Sequence, residues 1–290
     1  MKRSVDFHPM SSGTGHHLRR CIEIYSADGL GKLLSSIRTY VRIQLFESTL
    51  FVHLFWLVQG HRIVERDGIF VLTDFLGRER FAFPQFQFHR NARKKRKRKL
   101  ETKWFSDEFF QCVGPEDTVL EVGGFTGVST AIAAERGKQV HVLEPSPRNR
   151  RCLERNVPAD NVTVLPYAAG DENTTTTFNI GKMASKDSLS DPKHGGSGQS
   201  VEVEVRTIES ICEELGIDHI DFLKLDAEGL EPEVLRGIGD VEVKKMVVSG
   251  SAERDNEFTA PEVISLLESE GYEVFRSQEF RPYFVHAIRE

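Results

Sequence analysis

The chain has 290 residues, 39% of them apolar and 28% charged, with four cysteines and a formal net charge of −6. These proportions exclude a collagenous, wholly disordered or disulfide-stapled chain, and the length suits one large domain or one domain with an extension. The charge is split: residues 1–104 carry 20 Lys and Arg against 9 Asp and Glu, a net of +11, whereas residues 105–290 carry 18 against 35, a net of −17.

Residues 1–20 are polar and lack the apolar core of a secretory signal. From Asp28, a helix cap, apolar residues recur as Leu30, Leu33, Leu34, Ile37, Val41 and Leu45, which predicts an amphipathic helix. Such a helix either packs on the following domain or lies on an anionic membrane surface. Leu45–Val58 is the most apolar stretch, yet it is broken by Glu47 and His53 and falls short of the roughly 20 residues of a membrane span. Two apolar runs flank Asp67-Gly68 and predict a β-hairpin over Arg62–Leu72. Residues 93–99 are seven consecutive cations, which must be exposed. A solvated face, anionic lipid head groups and nucleic acid are the three readings of that run. Cys21, Cys112, Cys152 and Cys212 form no CxxC pair and no cluster with His, so free thiols in a reducing, cytoplasmic setting and no metal site are expected.

From residue 117 the pattern changes. Thr118–Val122, Val140–Leu143, Val162–Leu165, Phe222–Leu225 and Met246–Val248 read as short buried strands. Helical segments lie near 128–136, 147–156, 207–215, 230–237 and 260–270, and Tyr272–Phe275 and Tyr283–Ile288 read as closing strands. The alternation predicts an α/β fold with a parallel sheet wound on both faces. Thr174–Ile180 and Val201–Arg206 alternate with period two, as an inserted hairpin would, and the Gly-, Ser- and Lys-rich residues 181–199 between them suit a lid. The expected organisation is a basic extension, residues 1–104, followed by a catalytic domain, residues 105–290.

In such a sheet ligands bind beyond the carboxyl ends of the strands. The first strand runs into Glu121-Val122-Gly123-Gly124-Phe125-Thr126-Gly127, a glycine-rich turn that admits a ligand close to the backbone. The spacing is not that of the dinucleotide fingerprint, and the acidic residue before the glycines points to S-adenosylmethionine, whose methionine end carries an ammonium group. The second strand ends in Glu144-Pro145, 21 residues beyond Gly123, where a carboxylate can accept hydrogen bonds from ribose hydroxyls. Small residues at Ala168-Ala169-Gly170 leave room for a flat adenine ring. The fourth strand ends in Lys224-Leu-Asp226-Ala-Glu228-Gly229-Leu-Glu231, three carboxylates where a sulfonium would sit. Glu231 reads equally well as a cap of the next helix.

In order and spacing these segments resemble the FkbM family of S-adenosylmethionine-dependent methyltransferases, with motifs D-x-G-A-N-x-G, E-P, A-x-G/A-x and K-x-D-x-E-G-x-E. Glu121 stands in place of the motif's Asp and Phe125 in place of its Asn. Ser249 to Ser251 follow the fifth strand where many members have a Glu; Glu253 is nearby. The resemblance implies a Rossmann-like, seven-stranded class I methyltransferase sheet and O-methylation of a sugar, glycan or glycolipid hydroxyl. It makes Glu121, Gly123, Gly124, Phe125, Gly127, Glu144, Pro145, Ala168, Ala169 and Asp226 candidates for cofactor binding and Asp226 and Glu228 candidates for catalysis. The competing readings are an RNA ribose methyltransferase using residues 93–99, and a catalytically degenerate cofactor-binding module at a membrane surface. A nicotinamide-linked oxidoreductase fits least, since no Tyr-x-x-x-Lys pair follows.

Overall fold

The computed structural model describes residues 49–85, 113–181, 196–252, 254, 257–276 and 283–289. They fall in two compact units, Met1–Gly60 and His61–Glu290. The helix expected from Asp28 to Leu45, the cationic run 93–99, Glu253 and residues 182–195 lie outside the described residues.

In the first unit, helix α1 (Thr49–Val58) buries Val52 and Trp56, four residues apart on one face, and exposes Leu54, Leu57 and Val58. No described helix is long and apolar enough to cross a membrane.

The second unit opens with β1 (His61–Arg66), β2 (Ile69–Asp74) and β3 (Glu79–Phe83), an antiparallel three-stranded sheet. Asp67 and Gly68 both have positive φ, 52° and 73°, as the tight turn of a two-residue hairpin requires. The third strand, β3, is not evident in the sequence pattern. The boundary between the two units lies at residues 60 and 61, so this sheet groups with the larger unit although its sequence belongs to the basic third.

The main sheet holds β4 (Thr118–Val122), β5 (Gln139–Leu143), β6 (Val162–Leu165), β10 (His219–Leu225), β11 (Glu242–Ser249), β12 (Glu273–Arg276) and β13 (Phe284–Ile288), in the order β12-β13-β11-β10-β4-β5-β6. Five strands are parallel neighbours, and β13 runs antiparallel between β11 and β12. Helices α2 (Val128–Ala134) and α3 (Pro147–Asn156) cover one face, where Ile132, Ala133 and Leu153 pack on Val119, Val140, Val142, Phe222 and Val247. Helices α4 (Ile208–Leu215), α5 (Glu231–Arg236) and α6 (Ala260–Ser269) cover the other, where Ile208, Ile211, Val234 and Val263 pack on Leu120, Leu143, Leu223 and Leu225. Strands buried on both faces are continuously apolar, which is why they were legible as short runs. Each such aliphatic side chain contributes about 1.5–3 kcal/mol by burial. Cys152 and Cys212 are free, buried thiols, and burial pushes them up to about 12 and about 11.

A second antiparallel hairpin, β8 (Thr174–Gly181) and β9 (Gly196–Arg206), is extended by the two-residue strand β7 (Ala168–Ala169), parallel to β9. The first small sheet docks on α3. Cys152 packs with Ile69, Val71 and Ala82. The Asn156 amide extends the sheet edge: its Oδ1 accepts from Ala82 N at 2.6 Å and its Nδ2 donates to Ala82 O at 2.8 Å.

Candidate functional site

Strand order reverses between β4 and β10, since β5 and β6 continue on one side of β4 and β11 on the other side of β10. The loops that leave these two strands, residues 123–127 and 226–230, therefore meet at the topological switch point, where an open α/β sheet binds its ligand. Asp226 N donates to Val122 O at 3.1 Å and ties one loop to the root of the other.

The glycine loop is held almost entirely by bonds within the protein. Gly123 N and Gly124 N both donate to Leu143 O, at 3.0 and 3.2 Å, and Gly127 N donates to Gly124 O at 2.9 Å. Phe125 N donates to the Glu144 carboxylate at 2.7 Å. From the sequence, these glycines are expected to give a ligand room. The structure gives them another task. A Cβ on Gly123 would lie 2.3 Å from Asp226 O, one on Gly124 2.5 Å from the Leu153 side chain, and one on Gly127 2.8 Å from Val157. The glycines thus let the loop close down on α3 and on its neighbouring loop. Gly123 and Gly127 also have φ of +81° and +79°, a region that side-chain-bearing residues avoid. Phe125 occupies the same region at φ 51°, where the family's Asn would be more comfortable.

Glu121 is 1% exposed and does not open to solvent. Its Oε1 accepts from Ser129 Oγ at 2.5 Å and its Oε2 from Thr130 Oγ1 at 2.7 Å. Lys224, in register with it on the adjacent strand and 2% exposed, places Nζ 2.9 Å from Oε1. The same ammonium donates to Gly123 O at 2.7 Å. The contact expected between Glu121 and a ligand ammonium is thus made by a protein ammonium. The sequence assigns Lys224 no functional role; a Lys opposite a Glu where the apolar runs Val119–Val122 and Phe222–Leu225 pair is the signal that finds it.

Glu144 follows β5 and is 5% exposed. Ser146 N donates to its Oε1 at 3.0 Å, so two backbone N–H groups fix the carboxylate at the strand end. Pro145 forms part of a cleft of about 340 Å³ that also involves Arg150, Pro166, Tyr167, Glu202 and Glu204. Arg150 Nη1 donates to the carbonyls of Glu144 and Pro145 at 3.1 and 3.4 Å and closes the base of that turn.

Ala168 and Ala169 are 6% and 4% exposed. Ala168 packs with Phe178, Val203 and Val205, and Ala169 with the core around α4. They pair with Val205 and Arg206 of β9, in a strand too short to leave a periodic signal.

The second loop carries the carboxylates. Asp226 is partly exposed, and among the described residues no donor bonds its side chain. Glu228 is partly exposed and held at a positive φ of 51°. Glu231, fully buried at the start of α5, clasps the loop from inside: its Oε1 accepts from Ala227 N and Gly229 N, both at 3.1 Å, and its Oε2 accepts from Thr259 Oγ1 at 2.9 Å. Arg254 Nε donates to Gly229 O at 2.9 Å, and its guanidinium pairs with Glu233. Glu231 is therefore a loop clasp, a version of the helix-start reading, and Thr259 and Arg254 are partners that sequence spacing did not bring together.

Burial pushes the Glu231 carboxyl from its ordinary 4.5 up to about 7, and the Asp226 charge adds to the rise. Between pH 4.5 and 7 the folded chain then binds a proton that the unfolded chain does not, so the stability from this group is full below 4.5 and is lost as pH rises through 7. The difference amounts to about 3 kcal/mol. Glu231→Gln resembles the protonated state at every pH. Its melting temperature is expected to match the parent below pH 4.5 and to exceed it by a growing margin up to pH 7, read by calorimetric scans across that range. Parallel curves for the two proteins would refute the assignment.

Residues 117–274 match the family model described as the methyltransferase FkbM domain. The chain is similar to the 2-O-methyltransferase NoeI of Sinorhizobium fredii, 26% identical over 140 aligned residues, a match that covers 42% of this chain and 58% of that protein. A methyltransferase FkbM from Methylobacillus flagellatus superposes with a TM-score of 0.44 at 16% identity, over 70% of this chain and 52% of the other. Aeropyrum pernix fibrillarin, solved with S-adenosylmethionine bound, gives 0.40 at 14% identity, over 78% and 96%. The chain spans little more than half the length of NoeI and of the M. flagellatus protein.

Proposed function

The chain belongs to the FkbM methyltransferase domain family, and from that premise we propose that it transfers the methyl group of S-adenosylmethionine to a hydroxyl oxygen of a sugar, glycan or glycolipid. The observation that carries this reading is the acceptor-rich switch point. Glu144, Asp226 and Glu228 stand at the ends of β5 and β10, and the N–H groups of Gly123, Gly124, Phe125 and Gly127 between them are already bonded. Such a donor-poor, carboxylate-rich site suits a ligand with a ribose diol, an ammonium group and a positive centre. It does not suit the phosphates of a dinucleotide, which need free backbone N–H groups.

When bound, S-adenosylmethionine supplies a methyl group already activated on a positive sulfur. The protein's work is alignment and exclusion of water. In this reading Glu144, locked by Phe125 N and Ser146 N, accepts from the ribose hydroxyls. Gly123, Gly124, Phe125, Gly127 and Pro145 form the walls, and Glu121 holds the loop through Lys224. Ala168 and Ala169 brace β9 behind the site. Asp226 and Glu228 would orient the methionine ammonium and the acceptor hydroxyl, and one of these carboxylates would take the proton that the hydroxyl gives up. Oxygen as the accepting atom follows NoeI, a 2-O-methyltransferase by name, and the sugar follows the family resemblance.

Labelled S-adenosylmethionine offered with a panel of oligosaccharides, lipid-linked glycans and RNA tests the acceptor. Label in a sugar fraction is expected, and label in RNA alone would overturn that choice. For the cofactor, Glu144→Ala should weaken binding about 10- to 100-fold by calorimetry, the range of one or two hydrogen bonds to a charged group. Unchanged affinity would remove Glu144 from the ribose role.

A further inference from the structure

We propose that Lys224 is a positioning residue for the methionine end of the cofactor, acting through the Gly123 carbonyl; the proposal rests on the S-adenosylmethionine reading above. Lys224 is almost completely buried and its Nζ reaches acceptors of different kinds, the Glu121 carboxylate at 2.9 Å and the Gly123 carbonyl at 2.7 Å. Stability alone does not account for the pair. Removing two charges from water costs about as much as their attraction returns, and well-packed apolar replacements often do as well or better. An apolar replacement would not hold the Gly123 carbonyl.

That carbonyl belongs to the residue on which the loop turns. Gly123 sits at φ +81°, packed so closely on the Asp226 main chain that a Cβ would meet Asp226 O at 2.3 Å. The ammonium therefore fixes the Gly123 peptide where the glycine loop touches the Asp226 loop, the end of the site assigned to the methionine ammonium. Ser129 and Thr130, in the first turn of α2, hold Glu121 from the other side, so the ammonium is anchored to both β4 and α2.

The test compares Glu121→Gln with the double variant Glu121→Gln/Lys224→Met. The double variant removes both buried charges and so avoids the unpaired Glu121 that Lys224→Met alone would leave. Each protein is scanned for melting temperature and titrated calorimetrically with S-adenosylmethionine and with 5′-methylthioadenosine, which lacks the amino-acid end. Relative to Glu121→Gln, the double variant is expected to bind S-adenosylmethionine at least tenfold more weakly and methylthioadenosine within twofold. Equal affinities for S-adenosylmethionine would overturn the proposal, as would a parallel loss for both ligands, which marks a general structural effect. A parent protein that binds no S-adenosylmethionine would overturn the cofactor reading, and this proposal with it.

Discussion

Replacing Asp226 by Asn is expected to lower methyl transfer about 100-fold or more while leaving the melting temperature unchanged or slightly raised. The backbone of Asp226 is fixed by its N–H bond to Val122 O, which the substitution keeps. Its carboxylate is different: partly exposed, bonded by no described donor, and close enough to the buried Glu231 carboxyl to push that group's proton affinity up. A carboxylate held beside another without a compensating cation costs stability, and such arrangements mark functional sites. The neutral amide removes the repulsion and, in the proposed reaction, also the group that orients the ammonium and the acceptor hydroxyl. Positioned acid–base and orienting groups contribute about 10²- to 10⁴-fold. Transfer is measured with labelled S-adenosylmethionine and the acceptor found in the panel, alongside a melting scan. Full turnover in a folded Asp226→Asn protein would remove the residue from the mechanism.

Gly123→Ala is expected to destabilise the fold by about 3 kcal/mol or more, for two separable reasons. A non-glycine residue in the left-handed region costs roughly 1–2 kcal/mol, and Gly123 sits there at φ +81°. Its Cβ would also press on a backbone oxygen, Asp226 O at 2.3 Å, so one of the two loops must move, an overpacking cost of about 1–3 kcal/mol. Gly216 provides the control: its φ is +65°, but a Cβ there meets nothing within 4 Å, so Gly216→Ala bears the backbone cost alone. At roughly 2–4 °C per kcal/mol for a domain of this size, Gly123→Ala should melt about 6–12 °C below the parent and well below Gly216→Ala. Equal melting temperatures for the two variants would show that the loops do not press on each other there.

Much of the fold was legible because its signals are local. Thr118–Val122 and Val162–Leu165 are bounded as their apolar runs suggested, and the Asp67-Gly68 turn sits where the sequence put it. β3 and β7 were not legible. Glu79–Phe83 mixes charge and aromatics without alternation, because its first two residues are exposed and its last two, on opposite faces, are both buried, and Ala168–Ala169 is too short to show a period. The candidate site was legible as a set of strand ends, since a carboxylate or glycine just after a buried strand must lie at the sheet's carboxyl edge. The work done by each residue was not, because it depends on partners far away in the chain: Lys224 bonds Gly123 across 101 positions and Thr259 bonds Glu231 across 28.

Sequence by itself determined that this chain builds a doubly wound α/β sheet and which loops crowd its switch point, because hydrophobic period and strand-to-helix order suffice for both. Only the tertiary structure decided how those loops are held. Parallel register sets Lys224 beside Glu121, turning an expected ligand contact into an internal ion pair. The approach of α3 and of Asp226 fills the space above the glycines, so their missing side chains serve packing. Burial turns Glu231 from a helix-start acid into a clasp with a raised proton affinity and leaves Asp226 and Glu228 as the partly exposed carboxylates of the loop. Desolvation and close contact between distant segments carry these distinctions, and neither has a local signature in the chain.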